Sequence, residues 1–362
     1  MLTITLEGDS DKELTLVDLR YIRQQYDYPH MVGHRASLAG SLFEGCKREK
    51  AIKFFFSTAA CGVESWGALP SLKVKPRNGD VYTIKPDVLI AADGIKSVIR
   101  DQMLQELHTE GEILDTDQAC YRIMLTREQM GDDAELLELL DTNRVTRWIG
   151  EKRHIIAYPV SNKTIYNLST VQPDKNFADA PSATYTTKGS KSVMLDTFGD
   201  FCPKVQKMLN LVPDGEVCEW RLRVHSPLPT WVHGSVALLG DACHATLPHM
   251  GQGAAQAIED AAVIAVVLGR MPDHSPATIN KSLRVYQELR KARAEKLVEL
   301  AAESGRSLHL GEGEAKRQRD AQFKAGGKVP DKWADADVQK DIYGHDCVRV
   351  AEESFDSLFA SI

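Results

Sequence analysis

The chain has 362 residues, 43% of them hydrophobic and 26% charged, with a net charge of -7. That composition belongs to a globular protein large enough for about two domains, and the acidic balance argues against nonspecific nucleic-acid binding. The seven cysteines form no C-x-x-C pair and fit neither a disulfide framework nor a zinc site, which points to a reducing, cytoplasmic setting without a metal. The longest apolar run, Ala261 to Leu268, falls well short of the ~20 residues that span a bilayer, so no membrane role is expected.

Leu2-Ile4-Leu6 and Leu14-Leu16 alternate around Glu7-Gly8-Asp9-Ser10, which predicts a hairpin. A helix opens at His34-Arg35 and continues through Cys46. Ile52 to Phe56 reads as a strand, and Asn78-Gly79 between two alternating runs predicts a second hairpin. Asp87 to Ala92 is a run suited to a strand buried on both faces, as parallel strands are, and Asp93-Gly94 turns it into a helix beginning near Ser97.

From 113 to 232 the character changes to short strands around 119–124, 145–149, 154–160 and 165–171, with a helical interruption near Asp132 to Leu140. This predicts a mixed or antiparallel sheet with helices on one face. Pro227-Leu228-Pro229 is an extended connector leading back to the first fold. Tyr286 to Glu303 is an amphipathic helix, 311–340 reads as a loose charged loop, and Val348 to Phe359 as a final helix.

The stretch from Val236 to Leu268 carries the chemistry. Val236 to Leu239 is a buried strand that ends at Gly240-Asp241, where a carboxylate can accept hydrogen bonds from polyol hydroxyls. A loop with Pro248, Gly251 and Gly253 follows, then a helix from Ala254 whose N-terminus favours negative charge on a ligand. His244 and His249 read as structural.

Gly240-Asp241-Ala242-Cys243-His244, Pro248, Gly251-Gln252-Gly253 and Glu259-Asp260-Ala261 resemble the flavin-binding signature of FAD-dependent aromatic hydroxylases, the salicylate hydroxylase-like monooxygenases. Arg35 with Leu38, and Asp93-Gly94, resemble two further motifs of that family in the same order. The resemblance implies an α/β fold: a Rossmann-like FAD-binding domain, an inserted mixed-sheet substrate domain forming an α+β layer, and C-terminal helices. Applied to this chain, it divides the sequence into 1–112, 113–232, 233–270 and 271–362. The expected G-x-G-x-x-G is absent from the 362 residues, so the FAD-binding domain is expected to be N-terminally incomplete.

The implied activity is hydroxylation of a small aromatic or polyketide-like substrate with FAD, NAD(P)H and O₂. The alternatives are an epoxidase or other flavin oxidoreductase of the same fold, or a non-catalytic fragment that does not hold FAD. By resemblance, Arg35 bonds the ribityl-phosphate side of FAD. Asp93 and Gly94 contact the pyrophosphate region and NAD(P)H, and Asp241 holds the ribityl chain. Pro248 lines the reacting side of the ring, and Gly251, Gly253 and Ala254 lie by its pyrimidine end. Arg122 and Tyr158 are the expected catalytic pair, Arg122 facing a carboxylate or phenolate and Tyr158 bonding a phenol or shuttling its proton. No pattern in the sequence specifies the substrate, the choice of NADH or NADPH, or the oligomeric state.

Overall fold

The structure, a computed structural model, describes residues 1–176, 184–325, 330, 332, 333 and 335–362. The chain folds as two compact units, one of Met1–Ile52, Thr116–Leu222 and Ser304–Gly344, the other of Lys53–Asp115, Arg223–Glu303 and His345–Ile362.

The first unit is built on an eight-stranded sheet. Its order is Thr186–Lys188, Cys218–His225, Ile113–Thr126, Ile165–Pro173, Arg153–Val160, Arg144–Gly150, Leu2–Glu7 and Glu13–Asp18. Neighbours are antiparallel across the centre, whereas Leu2–Glu7 runs parallel to Arg144–Gly150. The expected N-terminal hairpin therefore forms and joins this sheet at its edge. Alternation sets the two faces: Tyr121, Ile123 and Leu125 are buried, while Arg122, Met124 and Thr126 between them are exposed.

The buried face is covered by the helices Ala134–Asp141, Lys191–Thr197 and Pro203–Asn210, which share one apolar core with it. Ala134–Asp141 starts where the Asp133 carboxylate accepts the amides of Glu135 and Leu136, and it turns Leu136, Leu139 and Leu140 inward at helical spacing.

Two expectations are corrected here. Residues 311–340 hold helices at Glu314–Ala325 and Ala336–Tyr343, although 326–329, 331 and 334 lie outside the described residues. The polar composition concealed two inward-facing residues. Phe323 packs with Leu14, Ile149 and Leu308, and buried Arg319 donates to the Leu308 carbonyl at 3.1 Å, closing the end of the preceding helix. Ile52 to Phe56 forms no strand; the ladder begins at Thr58. Phe54, Phe55 and Phe56 are all exposed, a continuous apolar run with no strand beside it among the described residues.

In the second unit, Leu89–Ala91 runs parallel to Val236–Leu238, and Val232–His233 folds back on the latter. Leu89 and Ile90 are only half-buried, unlike the fully covered strand that the sequence predicts, because this three-residue strand is paired along one edge among the described residues. The expected hairpin at Asn78-Gly79 is present and extends a meander of Thr58–Ser65, Ser71–Pro76 and Tyr82–Ile84. Helix Gly253–Gly269 packs on the C-terminal helix Cys347–Ser361, with Val236, Leu238, Val263, Val267, Tyr286 and Phe355 in the shared core. Among the described residues, no helix is long and apolar enough to cross a membrane.

Candidate functional site at the ends of two parallel strands

Val236, Ala237 and Leu238 lie opposite Leu89, Ile90 and Ala91, and the Leu239 amide donates to the Ala91 carbonyl at 2.9 Å. Both strands run the same way, so Asp93-Gly94 and Gly240-Asp241 emerge side by side at their carboxyl ends, where open parallel sheets bind ligands.

The Asp93 carboxylate is already engaged. Its Oδ1 accepts from Ser97 Oγ at 2.5 Å, and its Oδ2 accepts from the Val98 and Ile99 amides at 2.9 and 3.3 Å, capping helix Val98–Glu106. The Gly94 carbonyl accepts the Ser97 amide at 2.9 Å, and a Cβ on Gly94 would meet nothing within 4 Å, so there is open space beside this backbone. Behind it, buried Arg100 joins both loops. Its Nη1 donates to the Ile95 carbonyl at 3.0 Å and the Ala242 carbonyl at 3.4 Å, and to Nε2 of His225 at 2.9 Å. Burial, with the Arg100 charge beside it, pulls the His225 pKa down to about 4, which leaves that nitrogen free of a proton and able to accept.

Asp241 is exposed and takes no hydrogen bond or ion pair from the described residues. Pro248 opens a 3-10 turn, and it, Gly251 and Ala254 are exposed, with Gly253 half-buried. Helix Gly253–Gly269 has no side-chain cap at Gln252, so its first amides remain available to a ligand. An open carboxylate suited to ribityl hydroxyls and uncapped helix amides beyond it fit the flavin end of FAD. Sequence spacing gave no role to Asp260. It lies with Cys243 and His244 in a buried cluster whose possible ligand atoms are all within 4.8 Å, and its carboxylate is bonded to His244 and Arg290.

The remaining candidates belong to the first unit. Arg35 is exposed in the first turn of helix Arg35–Arg48. Arg122 is opposite Ser169, and Tyr158 is opposite Asn167 two residues along the same strand, so both point to the open face of the large sheet. The Arg122 guanidinium lies 5.7 Å from the centre of the Trp220 ring. Burial pushes the Tyr158 phenol up, and Arg122 pulls it the other way.

The fold is that of Rossmann-like FAD-binding proteins. A family model described as FAD binding domain matches residues 11–301, and the chain belongs to that family. It is 34% identical to the FAD-dependent monooxygenase ntnJ of Nectria sp over 74% of this chain and 62% of that protein. It is 30% identical to 3-hydroxybenzoate 6-hydroxylase 1 of Aquipseudomonas alcaligenes over 80% of this chain and 67% of the relative. A solved salicylate hydroxylase substrate complex superposes with a TM-score of 0.76 at 25% identity, covering 96% of this chain and 81% of the other. The chain thus spans less than two thirds of the length of relatives such as ntnJ.

Proposed function

We propose that this chain is the greater part of a cytosolic FAD-dependent monooxygenase that hydroxylates a small aromatic or polyketide-like substrate with NAD(P)H and O₂. The observation that carries the reading is the pairing of Asp93-Gly94 and Gly240-Asp241 at the ends of adjacent parallel strands, with the Asp241 carboxylate left open. Bound FAD would accept hydride from NAD(P)H and, reduced, activate O₂ for transfer to an electron-rich carbon.

Asp241 would hold the ribityl hydroxyls. The uncapped amides from Gly253 onward would favour negative charge on the reduced ring. Pro248, Gly251 and Ala254 would border that ring, and the Gly94 backbone would meet the pyrophosphate side. Arg35 would contact the ribityl-phosphate region. Arg122 would hold an anionic group of the substrate, and Tyr158, kept protonated by burial, would donate a hydrogen bond to its oxygen. Seven cysteines without a disulfide are in keeping with the cytosol.

The test is titration of the purified protein with FAD, followed by flavin fluorescence, and then NAD(P)H oxidation with aromatic acids and phenols. Saturable binding and a hydroxylated product support the reading. An epoxide or dehydrogenated product would reassign the chain to another flavin oxidoreductase. The 362 residues contain no G-x-G-x-x-G, and failure to bind FAD at any concentration would favour a fragment without catalysis.

A further inference from the structure

We propose that Asp260 and Arg290 are a positioning pair: through the turn Gly240–His244 they aim the Asp241 carboxylate and so set flavin affinity without touching the flavin. The inference rests on the reading above and gives it a mechanism of loop control.

Asp260 is fully buried. Its Oδ2 accepts the Gly240 amide at 3.0 Å and is 2.6 Å from Nε2 of His244, so one carboxylate oxygen binds both ends of the turn that displays Asp241. Its Oδ1 accepts Nε of Arg290 at 2.8 Å. Arg290, also fully buried, donates Nη2 to Gln256 Oε1 at 2.7 Å and pairs through Nη1 with Glu259. Glu259 in turn accepts Nε and Nη2 of Arg293 at 2.8 and 2.9 Å. Two carboxylates thus face two guanidinium groups. Burial alone would raise the Asp260 pKa, but His244 and Arg290 outweigh it and hold the group below its ordinary value, keeping it an anion and an acceptor.

The turn has little freedom of its own. Gly240 has φ of 63°, and a Cβ there would come within 3.2 Å of Ala257 Cβ, so the turn sits against the helix that carries Asp260. The His244 ring is 5.4 Å from that of Trp231. Asp241, by contrast, is held by no described side chain, so its direction is inherited from the backbone that Asp260 fixes.

The experiment is a double-mutant cycle on the full chain, with FAD titration and thermal melting read separately. Asp260→Asn should weaken FAD binding at least 10-fold in the parent protein but less than 2-fold when Asp241→Ala is already present, because its effect passes through Asp241. Arg293→Met, which breaks the outer pair with Glu259 and leaves Asp260 and Arg290 in place, should lower Tm and leave FAD affinity within 2-fold. Should Asp260→Asn not fold, Arg290→Lys, which keeps the charge and loses the planar fork, carries the same expectation. Equal weakening in both backgrounds, or loss of affinity in Arg293→Met equal to that in Asp260→Asn, would make the cluster a general stabiliser and overturn the proposal. A parent protein that binds no FAD overturns the functional reading as well, whereas a binding parent with an unaffected Asp260→Asn variant overturns only this inference.

Discussion

Arg100 Nη1 donates to Nε2 of His225 across 2.9 Å, linking within the second unit two residues 125 positions apart. The bond requires an unprotonated imidazole, and His225 has a pKa of about 4 against an ordinary 6.5. Between those values the unfolded chain binds a proton that the folded chain does not, so stability is full above pH 6.5 and falls as the pH drops towards 4. The loss amounts to about 3 kcal/mol. His225→Gln, which keeps an acceptor and does not titrate, should remove that part of the acid sensitivity. Urea unfolding at pH 7, 6, 5 and 4 checks it, and an unchanged pH slope in the variant would refute it.

Much of this architecture is written in local patterns. The short strands around 119–124, 145–149, 154–160 and 165–171 and the helix near Asp132 to Leu140 could be read locally, but that Leu2–Glu7 and Glu13–Asp18 join the same sheet could not. Asp93-Gly94 and Gly240-Asp241 could be read as turns after strands, but their adjacency depends on parallel pairing, which links residues too distant for any local pattern. Arg100, His225 and Arg290 escaped notice, and Asp260 was read only as part of a motif, for a related reason. A buried charge is recognised by its partners, and these partners come from different elements. Ile52 to Phe56 failed the other way: its composition favours a strand, but a strand also needs a neighbour.

Gly234 should be the least replaceable glycine of the second unit. It has φ of 57°, and a Cβ there would fall 1.8 Å from the Trp66 carbonyl oxygen. That same carbonyl accepts the Ser235 amide at 2.8 Å, so it cannot withdraw without breaking the bond. Gly234→Ala combines left-handed strain with a backbone collision and should cost about 4 kcal/mol or more. Melting temperature reads this out, and a variant within 2 °C of the parent would contradict the geometry.

Asp241 offers the opposite contrast. Because it is exposed and unbonded among the described residues, Asp241→Ala should change Tm little. In the role proposed for it, losing a charged acceptor for ribityl hydroxyls should weaken FAD binding by about 10- to 100-fold, the equivalent of ~1.5–3 kcal/mol. Retained affinity with an unchanged Tm would remove Asp241 from the flavin site.

Arg122 and Tyr158 are separable by pH and by kinetic parameter. Arg122 stands over Trp220 on the open sheet face, and in the role proposed for it an anionic substrate would gain a charge-assisted contact in both ground and transition states. Arg122→Ala should therefore raise KM for an aromatic acid by about 10- to 100-fold, with a smaller effect on kcat. The same variant should barely change KM for a neutral amide analogue. Tyr158 is pushed up from 10.0 by burial even with Arg122 opposing, so it is protonated at neutral pH and in the proposed site would act as a donor. Tyr158→Phe should lower kcat by about 10-fold or more, and the parent profile should show no activating ionisation from Tyr158 below pH 10. An activating ionisation near pH 8 that disappears in Tyr158→Phe would instead make this tyrosine a base.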